Sequence, residues 1–273
     1  MTDLRIVQFS DTHLAPGFDA VERNFDAAAA WIRAQKPDLV VHTGDVTRDA
    51  PGAPEELRHA ALRLADLGAP LLTIPGNHDV GDNPAEGHLP ASPVGEGPLA
   101  AWREVFGADR FAQEIGAWRI VGLNAQLLSS GLPQEAEQEA WLDAALSGHE
   151  RIALFIHKPL FLDDPETPAD VVYRYVPMEP RRRIMERIAR GAVKLVGCGH
   201  VHQTRSLTRD GVLYGWAPAT AFFLPDALQP RVGTKLCGLL DWRLSADGRA
   251  TCTLVQPHGM ADQDLETLPR MYG

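Results

Sequence analysis

The feature that most constrains this chain is a pairing that recurs along most of its length: a short apolar run, then a compact polar signature. The runs cover residues 4–9, 39–41, 71–74, 152–156 and 193–196. Each is too short for a helix and largely apolar, as expected of a buried strand. The signatures that follow them are Asp11-Thr12-His13, Gly44-Asp45, Gly76-Asn77-His78-Asp79, His157 and Gly199-His200-Val201-His202. Between the runs lie helical stretches near 19–35, 54–67, 98–106, 134–146 and 179–190. The βαβαβ order of the first 75 residues implies parallel strands with helices packed outside. Polar groups at the C-terminal ends of such strands stand where open α/β sheets place their ligand sites.

Two stretches break the rhythm. Residues 80–98 hold four Pro and four Gly with no periodicity, and 158–177 is also irregular. Loops of this length inside a compact domain are commonly functional, so both are expected to shape the site. From about 203 the texture becomes antiparallel, with strands near 203–209, 212–216, 235–244 and 249–255 and a turn at Asp247-Gly248. The tail from 258 reads as loosely attached. Since the polar signatures run from position 11 to position 202, one domain over 1–273 is the economical reading.

A formal charge of −10 argues against nonspecific nucleic-acid binding, which depends on Lys and Arg at phosphates. Asp3 and Arg5 interrupt the start where a secretory leader would need an apolar core, and no run reaches a membrane span. Three widely spaced cysteines, Cys198, Cys237 and Cys252, suit a reducing compartment. A cytoplasmic location is therefore expected. A homodimer through the C-terminal strands is carried as an expectation without a sequence pattern behind it.

The signatures together hold three carboxylates, an Asn and five histidines, with no thiolate. Hard oxygen mixed with imidazole nitrogen suits Mn, Fe, Zn, Co or Ni rather than Ca or a thiolate zinc site. Asp45, alone after its strand with Gly44 allowing close backbone approach, is the natural carboxylate to bridge two ions. Asp11 and His13 are spaced to reach one ion from a single turn. Asn77 offers an amide oxygen. His157, His200 and His202 offer imidazoles, the last two projecting the same way because they are two apart in extended backbone. Other polar residues have plainer readings. His42 is expected in the core or behind a ligand, His59, His149 and His258 at the surface, and Arg181 to Arg183 on a solvated helix face. Asn124 is read as satisfying backbone as readily as touching substrate, and Asp79 as orienting His78. Phe161, Tyr173, Tyr175, Phe222 and Phe223 read as core more readily than as an organic-group pocket.

The order D-x-H, G-D, G-N-H-D, H, G-H-x-H resembles the calcineurin-like metallophosphoesterase superfamily over residues 6 to about 202. Two of its subgroups are similar. The cyclic-nucleotide and glycerophosphodiester phosphodiesterases share the layout and a C-terminal strand pair preceded by a stretch like 217–222. The calcineurin-like phosphoesterase domain-containing protein 1 group is similar around 75–81, 123–126 and 157–161. The resemblance implies an α+β fold, a four-layer αββα sandwich of two mixed sheets flanked by helices. It implies one metal on Asp11, His13, Asp45 and His202 and a second on Asp45, Asn77, His157 and His200. His78 would face the phosphoryl group, assisted by Asp79. The implied reaction is hydrolysis of a small phosphodiester, of cyclic-nucleotide or glycerophosphodiester type, by a hydroxide bridging two divalent ions (Mn, Fe, Zn or Co). Phosphomonoester or phosphoprotein hydrolysis is the alternative on the same site, and a metal-bound scaffold without turnover is the alternative from another class.

Overall fold

Among the described residues eleven strands divide between two sheets. The computed structural model describes residues 3–168 and 171–268. In chain order the elements are β1 (Leu4–Phe9), α1 (Asp19–Gln35), β2 (Leu39–His42), α2 (Glu55–Leu64), β3 (Leu71–Thr73), a single-turn α3 (Asn77–Val80) and α4 (Glu96–Phe106). There follow β4 (Phe111–Ile115), β5 (Trp118–Leu123), α5 (Pro133–Ala145), β6 (Ile152–Ile156), α6 (Met178–Ile188) and β7 (Val193–Cys198). The chain then forms β8 (Arg205–Arg209), β9 (Val212–Trp216), β10 (Leu239–Leu244) and β11 (Ala250–Val255). The first sheet runs β11-β10-β1-β2-β3 and the second β4-β5-β6-β7-β9-β8. β1, β2 and β3 pair in parallel, as the βαβαβ reading predicts.

Three apolar layers follow. Ile6, Val41 and Trp242 of the first sheet meet Ile120, Phe155 and Leu195 of the second in the middle. Phe155 meets Trp242 edge-on at 6.4 Å, and the Trp242 indole N–H is satisfied by Gln8 Oε1 at 3.0 Å, as a buried indole requires. Outside the first sheet, Val7 and Val40 pack against Phe25 and Ile32 of α1, Leu57 of α2 and Trp102 of α4. Outside the second, Val121 and Leu154 pack against Leu142 of α5 and Ile184 of α6. The result is the four-layer αββα sandwich expected. Removing the Phe155 ring would cost about 3–5 kcal/mol, because two sheets of backbone cannot collapse onto the gap.

Three expectations are corrected. The C-terminal strands form two antiparallel hairpins, but they do not form one region. β8–β9 extends the second sheet, with β9 parallel to β7, whereas β10–β11 extends the first, with β10 antiparallel to β1. Each hairpin goes to whichever sheet edge is open, which strand patterning cannot reveal. The tail is pinned over 258–268: Ala261 N–H donates to Asn24 Oδ1, Gln263 Nε2 to the Ala20 and Ala221 carbonyls, and Leu265 N–H to the Phe223 carbonyl. Arg181 is buried, not solvated. It donates to the carbonyls of Val176, Pro165 and Thr167, closing the irregular 158–177 stretch, of which 169 and 170 lie outside the described residues. Among the described residues no helix is long and apolar enough to cross a membrane.

Candidate metal centre

The polar signatures converge because the chain turns sharply where each strand stops. Asp11, His13, Asp45, His200 and His202 all take positive φ, between 45° and 68°. Asp and His tolerate this left-handed region better than most residues, yet each instance costs on the order of 1 kcal/mol or more, and such strain gathers at functional sites. The turns are laced together. Asp11, His13 and Leu14 N–H donate to the carbonyls of Gly44, Asp45 and Val46, Ala221 N–H donates to Asp11 O, and Gly199 N–H donates to His157 O. The extended backbone expected at 200–202 is therefore absent. A turn sends His200 and His202 to two different groups of ligand atoms.

Asp11, His13, Asp45 and His202 form one group, and Asp45, His157 and His200 the other; within each, one ligand atom per residue lies within 4.8 Å of all the rest. Asn77 joins the second group, its Oδ1 3.3 Å from His157 Nε2. Asp45 belongs to both. Gly44 and Gly76 permit this crowding. At Gly44, with φ +97°, a Cβ would lie 2.7 Å from His157 Nδ1, and at Gly76 it would overlap the Asp45 carboxylate.

The donor orientation fits a cation. His157 Nδ1–H donates to the Thr43 carbonyl at 2.7 Å, and His202 Nδ1–H to the Phe222 carbonyl at 2.6 Å. A ring tied at Nδ1 presents Nε2 inward, the usual arrangement behind a metal-binding histidine. Asp11 accepts the His200 N–H at Oδ2 (3.0 Å), while its buried Oδ1 makes no hydrogen bond and has the His202 Nε2 beside it as an ion-pair contact at 3.4 Å. Such an oxygen is costly unless something positive meets it. Carboxylate and imidazole donors with these orientations fit divalent metal ions.

Proton affinities fall into a matching pattern. Burial would lower His157, but the carboxylates of Asp45 and Asp11 and the Thr43 carbonyl outweigh it and raise the group to about 9. His202 is raised likewise, against burial, by Asp11. His13 is held well below its ordinary value by burial and by His78, and His200 by burial, His157 and Lys158. Each group thus pairs an imidazole of raised proton affinity with one of lowered affinity: His202 with His13 at 3.2 Å, and His157 with His200 at 3.1 Å. Asp45 stays ionised well below the usual range because, despite burial, His157 and His78 favour its charge.

His78 sits beside both groups. Its backbone N–H donates to Asp45 Oδ1 (2.8 Å), and its ring Nδ1–H to the Arg48 carbonyl (2.7 Å). Asp79 does not orient that ring. Its carboxylate accepts from Gly76 N, Val46 N, Thr47 N and Thr47 Oγ1 at 2.8–3.1 Å, tying the Asn77 turn to the Asp45 loop. Burial and the Asp45 charge raise Asp79 to about 6 against these donors, so it is ionised near pH 7.5. His42 takes the supporting role expected. Its Nδ1 accepts Gly44 N–H at 3.1 Å and its Nε2 meets Thr12 Oγ1 at 3.0 Å. Asn124 is structural, with Oδ1 accepting Gln126 N–H and Nδ2 donating to Asp109.

A cavity of about 450 Å3 opens onto the centre, lined on the polar side by Asp45, Asn77, His78 and His200 and on the other by Tyr173, Phe222, Leu224, Leu228 and Leu265. Of the five aromatic residues considered above, only Tyr173 and Phe222 line it. Phe161 and Tyr175 are core. The 80–98 loop contributes Asp82 alone to the lining, while His88 packs against Tyr173 with ring centroids 4.7 Å apart and the planes tilted by 32°. Arg174, Leu224, Leu228, Gln229 and Leu265 were not singled out in the sequence. They occupy aperiodic connections, and only packing brings them to one wall.

The fold and this arrangement of carboxylate and imidazole groups at strand ends are of the metallophosphoesterase class. Residues 4–204 match the calcineurin-like phosphoesterase family, and the chain belongs to it. Serine/threonine-protein phosphatase CPPED1 of Danio rerio is 30% identical over 191 residues, covering 65% of this chain and 58% of that protein. The match thus spans little more than half the length of that relative. The 3',5'-cyclic adenosine monophosphate phosphodiesterase CpdA of Escherichia coli K12 is 28% identical over 283 residues, covering 95% of this chain and 90% of its own. A dimetal phosphatase of Danio rerio shares the fold with TM-score 0.63 at 14% identity, over 93% of this chain and 96% of its own.

Proposed function

We propose that the chain hydrolyses small phosphodiesters using two divalent ions, one on Asp11, His13, Asp45 and His202 and the other on Asp45, Asn77, His157 and His200, with residues 3–268 acting as one catalytic unit. The observation that carries the reading is the sharing of Asp45 by two ligand groups in a cavity also lined by the apolar Phe222, Leu224, Leu228 and Leu265, with Tyr173, Arg174 and Gln229 among them. When bound, the ions supply Lewis acidity to phosphoryl oxygens and acidify a water. The residues do the rest. The Arg48 carbonyl fixes the His78 ring, so that protonated Nε2 can stabilise phosphoryl charge or protonate a leaving alkoxide. The apolar lining takes the ester's organic group, nucleoside or glycerol in size. The whole-length likeness to a cyclic-nucleotide phosphodiesterase supports a diester, whereas the CPPED1 likeness favours phosphatase activity as a second reading.

The test compares bis-p-nitrophenyl phosphate, p-nitrophenyl phosphate, cyclic AMP and a phosphoserine peptide, each with Mn, Co, Zn or Fe. A diester preference in kcat/KM is expected, and a clear monoester or phosphopeptide preference would overturn it. Asp45→Asn should lose metal and turnover together. His78→Gln should keep both ions but lose about 10²–10⁴ in kcat, the usual worth of a proton-transfer group.

A further inference from the structure

Lys158 directly follows His157 and is fully buried, an unusual place for an ammonium. Its Nζ donates to Asp82 Oδ1 at 2.5 Å and Asn83 Oδ1 at 2.6 Å. Asn83 is held in turn by donating Nδ2–H to the Leu128 carbonyl at 2.6 Å. The Gln126 amide satisfies its neighbours only with its nitrogen toward Asp82 Oδ1 (3.0 Å) and Asn83 Oδ1 (3.2 Å), and its oxygen then accepts the Asn77 N–H at 3.3 Å. A continuous buried polar chain therefore runs from the backbone of Asn77 to the residue beside His157.

We infer that Lys158 is a positioning residue for the second ligand group. Through Asp82, Asn83 and Gln126 it clasps the Asn77 turn to the end of β6, setting the distance between Asn77 Oδ1 and His157 Nε2. The physical ground is that the two ligands follow short strands of different sheets and are otherwise joined only indirectly, Asp79 tying the Asn77 turn to the Asp45 loop and the Thr43 carbonyl holding His157. Asn77 begins a single-turn helix followed by an irregular loop, and His157 ends a strand in the other sheet. Nothing in either segment alone fixes their separation. A buried ammonium has a strict geometric demand, since it must keep its acceptors or pay heavily in desolvation. The clasp does not touch Asp11, His13 or His202, so its effect falls on one ligand group. Lys158 acts through other residues and is not placed at the phosphoryl group.

This inference rests on the two-ion reading, and the experiment separates the two. Metal-free wild-type protein is titrated with Mn(II) by calorimetry, and with Co(II) by visible absorption. Two binding events are expected, and a single event or none would overturn the two-ion reading itself. Lys158→Met and Gln126→Leu are then titrated in the same way, with melting curves run in parallel. In Lys158→Met the second ion should weaken by about 10- to 100-fold, the scale seen when groups behind metal ligands are removed, with the first ion little changed. Gln126→Leu, at the far end of the chain, should repeat the selective loss more mildly. Asp82→Asn leaves the ammonium in place with two oxygen acceptors around it and should keep most of the wild-type affinity for the second ion. Equal weakening of both ions, or no weakening in a folded variant, would overturn the inference. Should Lys158→Met not fold, Gln126→Leu alone decides by the same criterion.

Discussion

Replacing Asp79 separates a structural anchor from a catalytic partner. The carboxylate takes four donors, three of them backbone N–H groups that have no other route to an acceptor once it is gone. In Asp79→Ala these amides stay buried. At about 1–3 kcal/mol for each unsatisfied buried group, with incomplete additivity and some water entry, the loss should be about 4 kcal/mol. In Asp79→Asn the amide oxygen can still accept from Gly76 and Val46, and its NH2 can donate to Thr47 Oγ1. That NH2 then faces the Thr47 N–H, donor against donor. One unsatisfied amide and the lost charge predict about 2 kcal/mol. Urea unfolding of metal-free protein, with the slope checked to be constant, measures both. Since the carboxylate makes no bond to the His78 ring, folded Asp79→Asn should keep kcat/KM within about tenfold of wild type, roughly 1.4 kcal/mol of transition-state energy. A change below about 1 kcal/mol in Asp79→Ala would refute the anchoring argument. Loss of turnover in a normally folded, fully metallated Asp79→Asn would restore Asp79 to the catalytic apparatus.

Two further outcomes follow from the centre. His157, raised to about 9, carries a proton at pH 7.5 in the metal-free protein, and loading should expel about one proton from it; calorimetry in buffers of different ionisation enthalpy reads the number. The same shift makes this group's contribution to metal-free stability full below its unfolded value near 6.5, and lost as pH rises through about 9, which denaturation at several pH values would show. Gly76→Ala pushes a methyl into Asp45 and to within 2.7 Å of His157 Cε1, so both ions should bind more weakly than in wild type. Metal analysis after dialysis gives the answer, and unchanged loading would contradict the close approach.

Much of the site was legible because each ligand sits in a local pattern. The apolar run predicts the strand, the strand's end predicts the turn, and the residue types predict a cation. That reasoning reached Asp11, His13, Asp45, Asn77, His157, His200 and His202 without any contact being known. It went astray at 200–202, where an extended backbone was assumed. The left-handed φ of both histidines is a choice made by the hydrogen bonds around them, not by their spacing. Asp79 misled for a related reason. Adjacency to His78 suggested a pair, but the single-turn helix directs the carboxylate back toward the Val46 and Thr47 amides.

By itself, then, the sequence determined the parallel strands and the donor set, because those depend on periodicity and on residue chemistry within a few positions; the sandwich class and the division of the donors around Asp45 it gave only through the family resemblance. Only the tertiary structure showed those donors standing in two groups around Asp45 and decided which sheet each C-terminal hairpin joins. It also decided that Phe222, Leu224, Leu228, Gln229 and Leu265 line the cavity, and that Lys158 reaches back to Asp82. Each of those depends on contacts between segments tens to hundreds of residues apart, where packing and hydrogen-bond satisfaction select the partner.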